Sequence, residues 1–141
     1  MECSTIRKTI ILLLSSAVVL CLTGCSKKDV PNEGGRLTVA VIPKGTIHEF
    51  WKTVHAGAEK AGAELDVEIL WKGSLKEDDR DAQISVVENI IVREVDGIVL
   101  APLDDVALRK PVETAMRSDI PVVIFDSGLQ GDNYISYVAT D

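Results

Sequence analysis

Short apolar runs alternate along the chain with longer stretches in which apolar residues recur every three or four positions. Residues 37–42 (LTVAVI), 67–71 (VEILW), 97–101 (GIVLA) and 122–126 (VVIFD) are the short runs, bounded by proline, glycine or charge. Runs of this kind, rich in β-branched residues, predict strands buried on both faces, as in a parallel sheet covered by helices. Between them, Phe50, Val54, Ala58, Ala61 and Leu65 fall at near-helical spacing and predict a helix over 48–63. Gly57 and the alanines on it allow close approach to a sheet. Ile84, Val87, Ile90, Ile91 and Val95 form a broad apolar stripe and predict a helix over 81–93, whose early acids suit the positive end of the helix dipole. A third helix is expected within 106–117. Pro111 should open its main part at the first position, after a single turn over 105–109, because a missing N–H costs nothing there. Residues 134–139 predict a fifth strand.

The first three strands start thirty residues apart, at 37, 67 and 97, which is the length of a repeated βαβ unit. Right-handed crossovers then give an α/β fold, a doubly wound and mostly parallel sheet with helices on both faces. Residues 127–133 are too few to hold a helix. On local rules the fifth strand is antiparallel or lies at an edge.

Ahead of this pattern stand Arg7 and Lys8, an apolar run over 10–22, then Gly24 and Cys25. Thirteen residues rise only ~20 Å as a helix against a hydrocarbon core of ~30 Å, so the run reads as the core of an export signal and not as a membrane span. Leu22-Thr23-Gly24-Cys25 resembles the bacterial lipoprotein cleavage box. The resemblance implies that residues 1–24 are a removable signal peptide and that Cys25 becomes the lipidated first residue, with several acyl chains holding the protein on a membrane. Residues 25–36 combine charge, proline and paired glycine without an apolar period, as a flexible tether does.

Charge and cysteine narrow the chemistry. The net charge is −7, and loss of Arg7, Lys8 and Glu2 with the signal would make the body more acidic, a poor match to nucleic acid. Cys3, Cys21 and Cys25 all precede the folded part, which excludes a disulfide, a thiolate metal site and a cysteine nucleophile from it. No serine or histidine is paired as a nucleophile, and Pro43 and Lys44 stand where a phosphoacceptor domain needs acids. The chain is expected not to be an enzyme and to need no cofactor.

In an open parallel sheet, ligands bind outside the carboxyl ends of the strands near the point where strand order reverses. Those ends carry residues 44–49 after the first strand, Asp104 after the third, and Asp126 with Ser127 after the fourth. Phe50 and Trp51 open the first helix beside them. A flat ring next to a carboxylate suits a sugar, whose CH face stacks on the ring while its hydroxyls donate to the acid. Phe50 and Trp51 are adjacent, so one should point into the core and the other outward. Bland roles are expected for several neighbours. Asp104 with Asp105, and the acids among 77–81, read as helix caps. His48 and His55 have no third ligand for a metal, and His55 reads as solvated.

Five segments, LTVAVI, HEFWKTVHAGAEKAGAEL, VDGIVLAPLDDVAL, IPVVIFDSG and YVATD, occur in an order that resembles the first part of the N-terminal lobe of type I periplasmic sugar-binding proteins, the ribose and galactose group that feeds ABC importers. The resemblance covers 37–141. It implies that Phe50 and Trp51 fall on the aromatic pair flanking the sugar, His48 on the polar residue before it, and Asp126 on the carboxylate that accepts from sugar hydroxyls. Arginine is often next in that family. Ser127 stands there instead, which removes a charged donor and leaves the sugar's identity open. The resemblance also implies a fifth strand parallel to the fourth, which seven extended residues spanning ~23 Å can reach, and a crossing to a second lobe near Asp141. The function implied is capture of a sugar or similar polyol for an ABC permease by a lipid-anchored protein of the periplasm or outer cell envelope, with no metal. An alternative is a sensory module presenting ligand to a receptor kinase or chemoreceptor.

Overall fold

The computed structural model describes residues 35–140, so the expected signal peptide, Cys25, most of the tether and the expected hinge at Asp141 lie outside the described residues. The chain order is β1 (Thr38–Ile42), α1 (Glu49–Leu65), β2 (Glu68–Trp71), α2 (Arg80–Val92), β3 (Gly97–Leu100), α3 (Arg109–Arg117), β4 (Val122–Phe125) and β5 (Ser136–Val138). The strands form one sheet in the order β2-β1-β3-β4-β5 with every neighbouring pair parallel. The order reverses between β1 and β3, which makes their carboxyl ends the switch point of the sheet.

The alternation of side chains along each strand separates two faces. Ala40, Ile98, Leu100, Val122 and Ile124 belong to one buried core with Val87 and Ile90 of α2 and Val112 and Ala115 of α3. Full burial of each large aliphatic side chain contributes about 1.5–3 kcal/mol. On the opposite face Val99, Val123 and Phe125 line, with Val54, Ala58 and Leu65 of α1, an apolar groove of about 450 Å³. Helix α1 lies close to the sheet because Gly62 has no side chain: a Cβ there would sit 2.5 Å from Ile69 Cγ1 and 2.8 Å from the Val67 carbonyl oxygen. The helix ends at Asp66, whose left-handed backbone (φ 55°) returns its N–H to the Gly62 carbonyl. Arg36, at the end of the expected tether, donates to the Val67 carbonyl at 3.0 Å and pairs with Asp66.

Three local expectations change. The close approach of α1 rests on Gly62 and not on Gly57, which is exposed and where a Cβ would meet nothing within 4 Å. Helix α3 starts at Arg109, so Pro111 is its third residue and not its first. Asp104 Oδ1 accepts from the N–H groups of Val106 and Ala107 and begins the turn earlier. Pro111 still falls among the first four positions, whose N–H groups have no partner within the helix. Strand β5 is a parallel edge strand, as the resemblance implied and against the antiparallel option. The return from Phe125 to Ser136 needs no helix because Leu129 is buried in the core instead and Gln130 is held by Asp105 through both backbone and side chain.

Candidate functional site

Strands β1 and β4 deliver Lys44 and Asp126 to the same edge. The Lys44 ammonium lies 2.7 Å from Asp126 Oδ2, and both side chains are largely but not fully buried. Lys44 also donates to Ser127 Oγ, and the Ser127 hydroxyl donates to Asp126 Oδ2 at 3.2 Å. Among the described residues the contacts of the Asp126 carboxylate fall on Oδ2, and Oδ1 is left without a hydrogen-bond partner. The backbone of Asp126 is left-handed (φ 64°), a conformation uncommon outside glycine and tolerated best by asparagine and aspartate. It is held there by β5: the Asp126 N–H donates to the Val138 carbonyl at 3.0 Å, and the Tyr137 hydroxyl donates to the Asp126 carbonyl.

The aromatic pair divides as its adjacency required. Trp51 is 2% exposed, edge-on to Phe125 at 6.2 Å, and its indole N–H donates to Glu77 Oε1 at 2.8 Å. Phe50 is 49% exposed and packs edge-on against Trp51. Of the two rings, only that of Phe50 presents a surface that a ligand can reach. Because Trp51 touches Phe125, and Asp126 is the next residue, the start of α1 is fixed against the end of β4. His48 caps α1, its Nδ1 accepting from the Phe50 N–H at 3.2 Å. In the first turn, Glu49 is held below the ordinary carboxylate range by its hydrogen bond and charge pairing with Lys52.

Other sequence candidates resolve into structural roles. Asp104 spends Oδ1 on two backbone N–H groups, and that bonding holds its carboxyl below the usual value. Asp79 caps α2 through the Ala82 N–H. His55 is not simply solvated: its ring stacks on Trp71 at 4.4 Å and its Nε2 faces Glu59. Among the described residues no three metal-ligating side chains come together.

Sequence reasoning took Glu77, which accepts from the Trp51 indole N–H, for a helix cap, and it missed two further residues. Lys44 was placed in the first strand-end loop but given no role, since nothing local shows that its side chain crosses to a residue 83 positions on. It brings a cation next to Ser127 and Asp126. Gln83 is fully buried in α2. Its amide donates to the Pro43 and Ala101 carbonyls, and its oxygen accepts from the Leu103 N–H, tying the carboxyl ends of β1 and β3 together at the switch point. A polar residue at the i and i+4 position of an apolar stripe, 83 with Val87, was the available signal.

A profile described as a periplasmic binding protein domain matches residues 39–141. A D-ribose/D-allose-binding protein of Pseudomonas aeruginosa is 36% identical over 63% of this chain and 28% of its own. A D-allose-binding periplasmic protein of Escherichia coli is 31% identical over 67% of this chain and 30% of its own. Among solved structures, a carbohydrate transporter solute binding protein from Agrobacterium radiobacter in complex with D-arabinose superposes with a TM-score of 0.73 at 36% identity, over 77% of this chain and 36% of that one. The chain thus spans about a third of the length of these relatives. With a parallel five-stranded sheet, a polar cluster at its carboxyl edge and a profile match over most of its length, the chain belongs to the type I periplasmic sugar-binding protein family.

Proposed function

We propose that this chain forms one wall of the ligand cleft of an exported sugar-binding protein, which captures a sugar or similar polyol and hands it to an ABC permease. The single observation carrying this reading is the Lys44–Asp126–Ser127 cluster at the sheet's carboxyl edge, on the side where the exposed ring of Phe50 stands. Asp126 Oδ1 accepts from a sugar hydroxyl, Lys44 and Ser127 hold the carboxylate in place and offer donors to a neighbouring oxygen, and Phe50 covers a CH face. His48, exposed at the same helix start with its Nδ1 spent on the cap, is assigned to the rim. Charge-assisted bonds to a carboxylate are about twice as strong as neutral ones, which makes Asp126 the principal contact. Names of the relatives, which bind ribose, allose and arabinose, support a neutral monosaccharide. No catalytic step and no cofactor enter this reading. In the same proposal residues 1–24 direct export, Cys25 carries the lipid that holds the protein at the membrane, and residues 25–36 are its tether.

One wall of a cleft offers few contacts, so affinity of the chain for its sugar should lie in the millimolar range. Titration of the isotope-labelled chain with D-ribose, D-allose and D-arabinose to about 20 mM, followed by NMR, tests the reading. Saturable shifts at Lys44, Phe50, Asp126 and Ser127 with at least one sugar are expected. Absence of shifts at these residues with all three would overturn it.

A further inference from the structure

Two loops at the carboxyl edge grip one another below the proposed sugar contacts. The Thr46 hydroxyl donates to the Ser74 carbonyl at 3.2 Å, and the nearly buried Ser74 hydroxyl lies 3.1 Å from the Lys44 carbonyl and 2.7 Å from that of Lys76, sharing its one proton between them. Gly45 and Gly73 make the approach possible. A Cβ on Gly45 would fall 2.8 Å from Glu77 Cγ, and one on Gly73 would fall 3.0 Å from Pro43 Cγ. Glu77 sits at the end of this clasp and accepts from the Trp51 indole N–H.

The indole is the pivot. Trp51 is packed between Phe125, which precedes the proposed sugar carboxylate, and Phe50, the proposed stacking ring, with edge-on contacts to both. Packing confines a buried indole to one rotamer; a hydrogen bond from its single N–H narrows the remaining play in its tilt. We propose that Glu77 is a positioning residue for ligand binding: it touches no sugar, but by fixing the Trp51 indole it fixes the angle at which Phe50 faces the ligand and the place of α1 against the Asp126 turn. The bond needs an acceptor and not a charge. Glutamine, whose amide oxygen can occupy the same place, therefore serves in place of Glu77, and alanine does not. This inference rests on the reading that Phe50 and Asp126 contact a sugar.

The experiment compares Glu77→Ala and Glu77→Gln with the unaltered full chain, using the sugar among D-ribose, D-allose and D-arabinose that gives the largest shifts. Trp71→Phe identifies which of the two indole N–H signals belongs to Trp51. In Glu77→Ala the Trp51 indole proton should exchange with water at least 10-fold faster, and the sugar Kd should rise about 10-fold as the Phe50 ring loses its fixed angle. Glu77→Gln should restore both, whatever either variant does to Tm. Unchanged indole exchange or unchanged Kd in Glu77→Ala overturns the inference while the sugar reading stands. Equal loss of affinity in Glu77→Gln with the indole still protected also overturns it, because Glu77 would then act through its charge on the ligand itself. If the unaltered chain binds none of the three sugars, the sugar reading falls first and the positioning role falls with it.

Discussion

Asp104 and Asp126 both follow a central strand at the carboxyl edge of the sheet, β3 in one case and β4 in the other. By position alone either could meet a ligand. Asp104 turns inward on its own chain: Oδ1 accepts from Val106 and Ala107, Oδ2 lies 3.8 Å from Arg80, and the carboxylate starts the turn that leads into α3. Asp126 makes no cap. Its left-handed backbone is pinned by β5, its Oδ2 is held by Lys44 and Ser127, and Oδ1 is left to accept. What separates the two carboxylates is which groups hold them: N–H groups of its own helix turn at Asp104, and the side chain of another strand end together with Ser127 at Asp126.

Gln83 ties the strand end that carries Lys44, the partner of Asp126, to the one that carries Asp104, through its bonds to Pro43 and Leu103. Gln83→Leu leaves two carbonyls and one N–H without partners in the core and should cost about 3–5 kcal/mol of stability, read from urea unfolding. Because it supports both strand ends, it should perturb the amides of 43–46 and 101–104 together in NMR spectra; perturbation of one side only would mean that the two ends are built independently. A smaller effect is expected for Lys44→Met, which leaves Asp126 with Ser127 alone: Kd for the bound sugar should rise about 10-fold with little change in Tm. An unchanged Kd would make Lys44 a structural partner of Asp126, as Arg80 is of Asp104.

The smallest effect concerns Asp104. Acceptance from the Ala107 and Val106 N–H groups holds its carboxyl below the ordinary value. A depressed folded-state pKa gives stability that is present above the unfolded value and is lost as pH falls through the folded one. Asp104→Ala should therefore lower Tm modestly at neutral pH and flatten the acid side of the Tm–pH curve, with sugar binding unchanged. A curve parallel to that of the unaltered chain would show that the cap contributes nothing in solution.

Much of this edge was legible in the sequence because it depends on local signals. The run VVIFDSG fixes a buried strand with a polar end, and the thirty-residue spacing of strands gives the parallel sheet. The cap role of Asp104 follows from its place before a helical segment. Other features depend on contacts distant along the chain. Nothing near Lys44 shows that its ammonium reaches Asp126, and nothing near Glu77 shows that it meets the Trp51 indole. The adjacency of Phe50 and Trp51 required one inward and one outward ring, and burial assigned them. Local rules allowed the edge position of β5 and missed only its parallel direction, because they count residues in a loop and do not see that the return of 126–135 packs Leu129 into the core. They failed at His55 because stacking on Trp71 joins a helix to a strand 16 residues away.

The most direct measurement sets the two aspartates side by side. Asp126→Ala and Asp104→Ala are titrated with the sugar that shifts the unaltered chain most, and Kd is read from the Phe50 and Ser127 amides. Loss of measurable binding in Asp126→Ala with binding retained in Asp104→Ala is the expected result. Equal binding in the two variants, or loss in Asp104→Ala alone, would contradict the assignment of the site to Asp126.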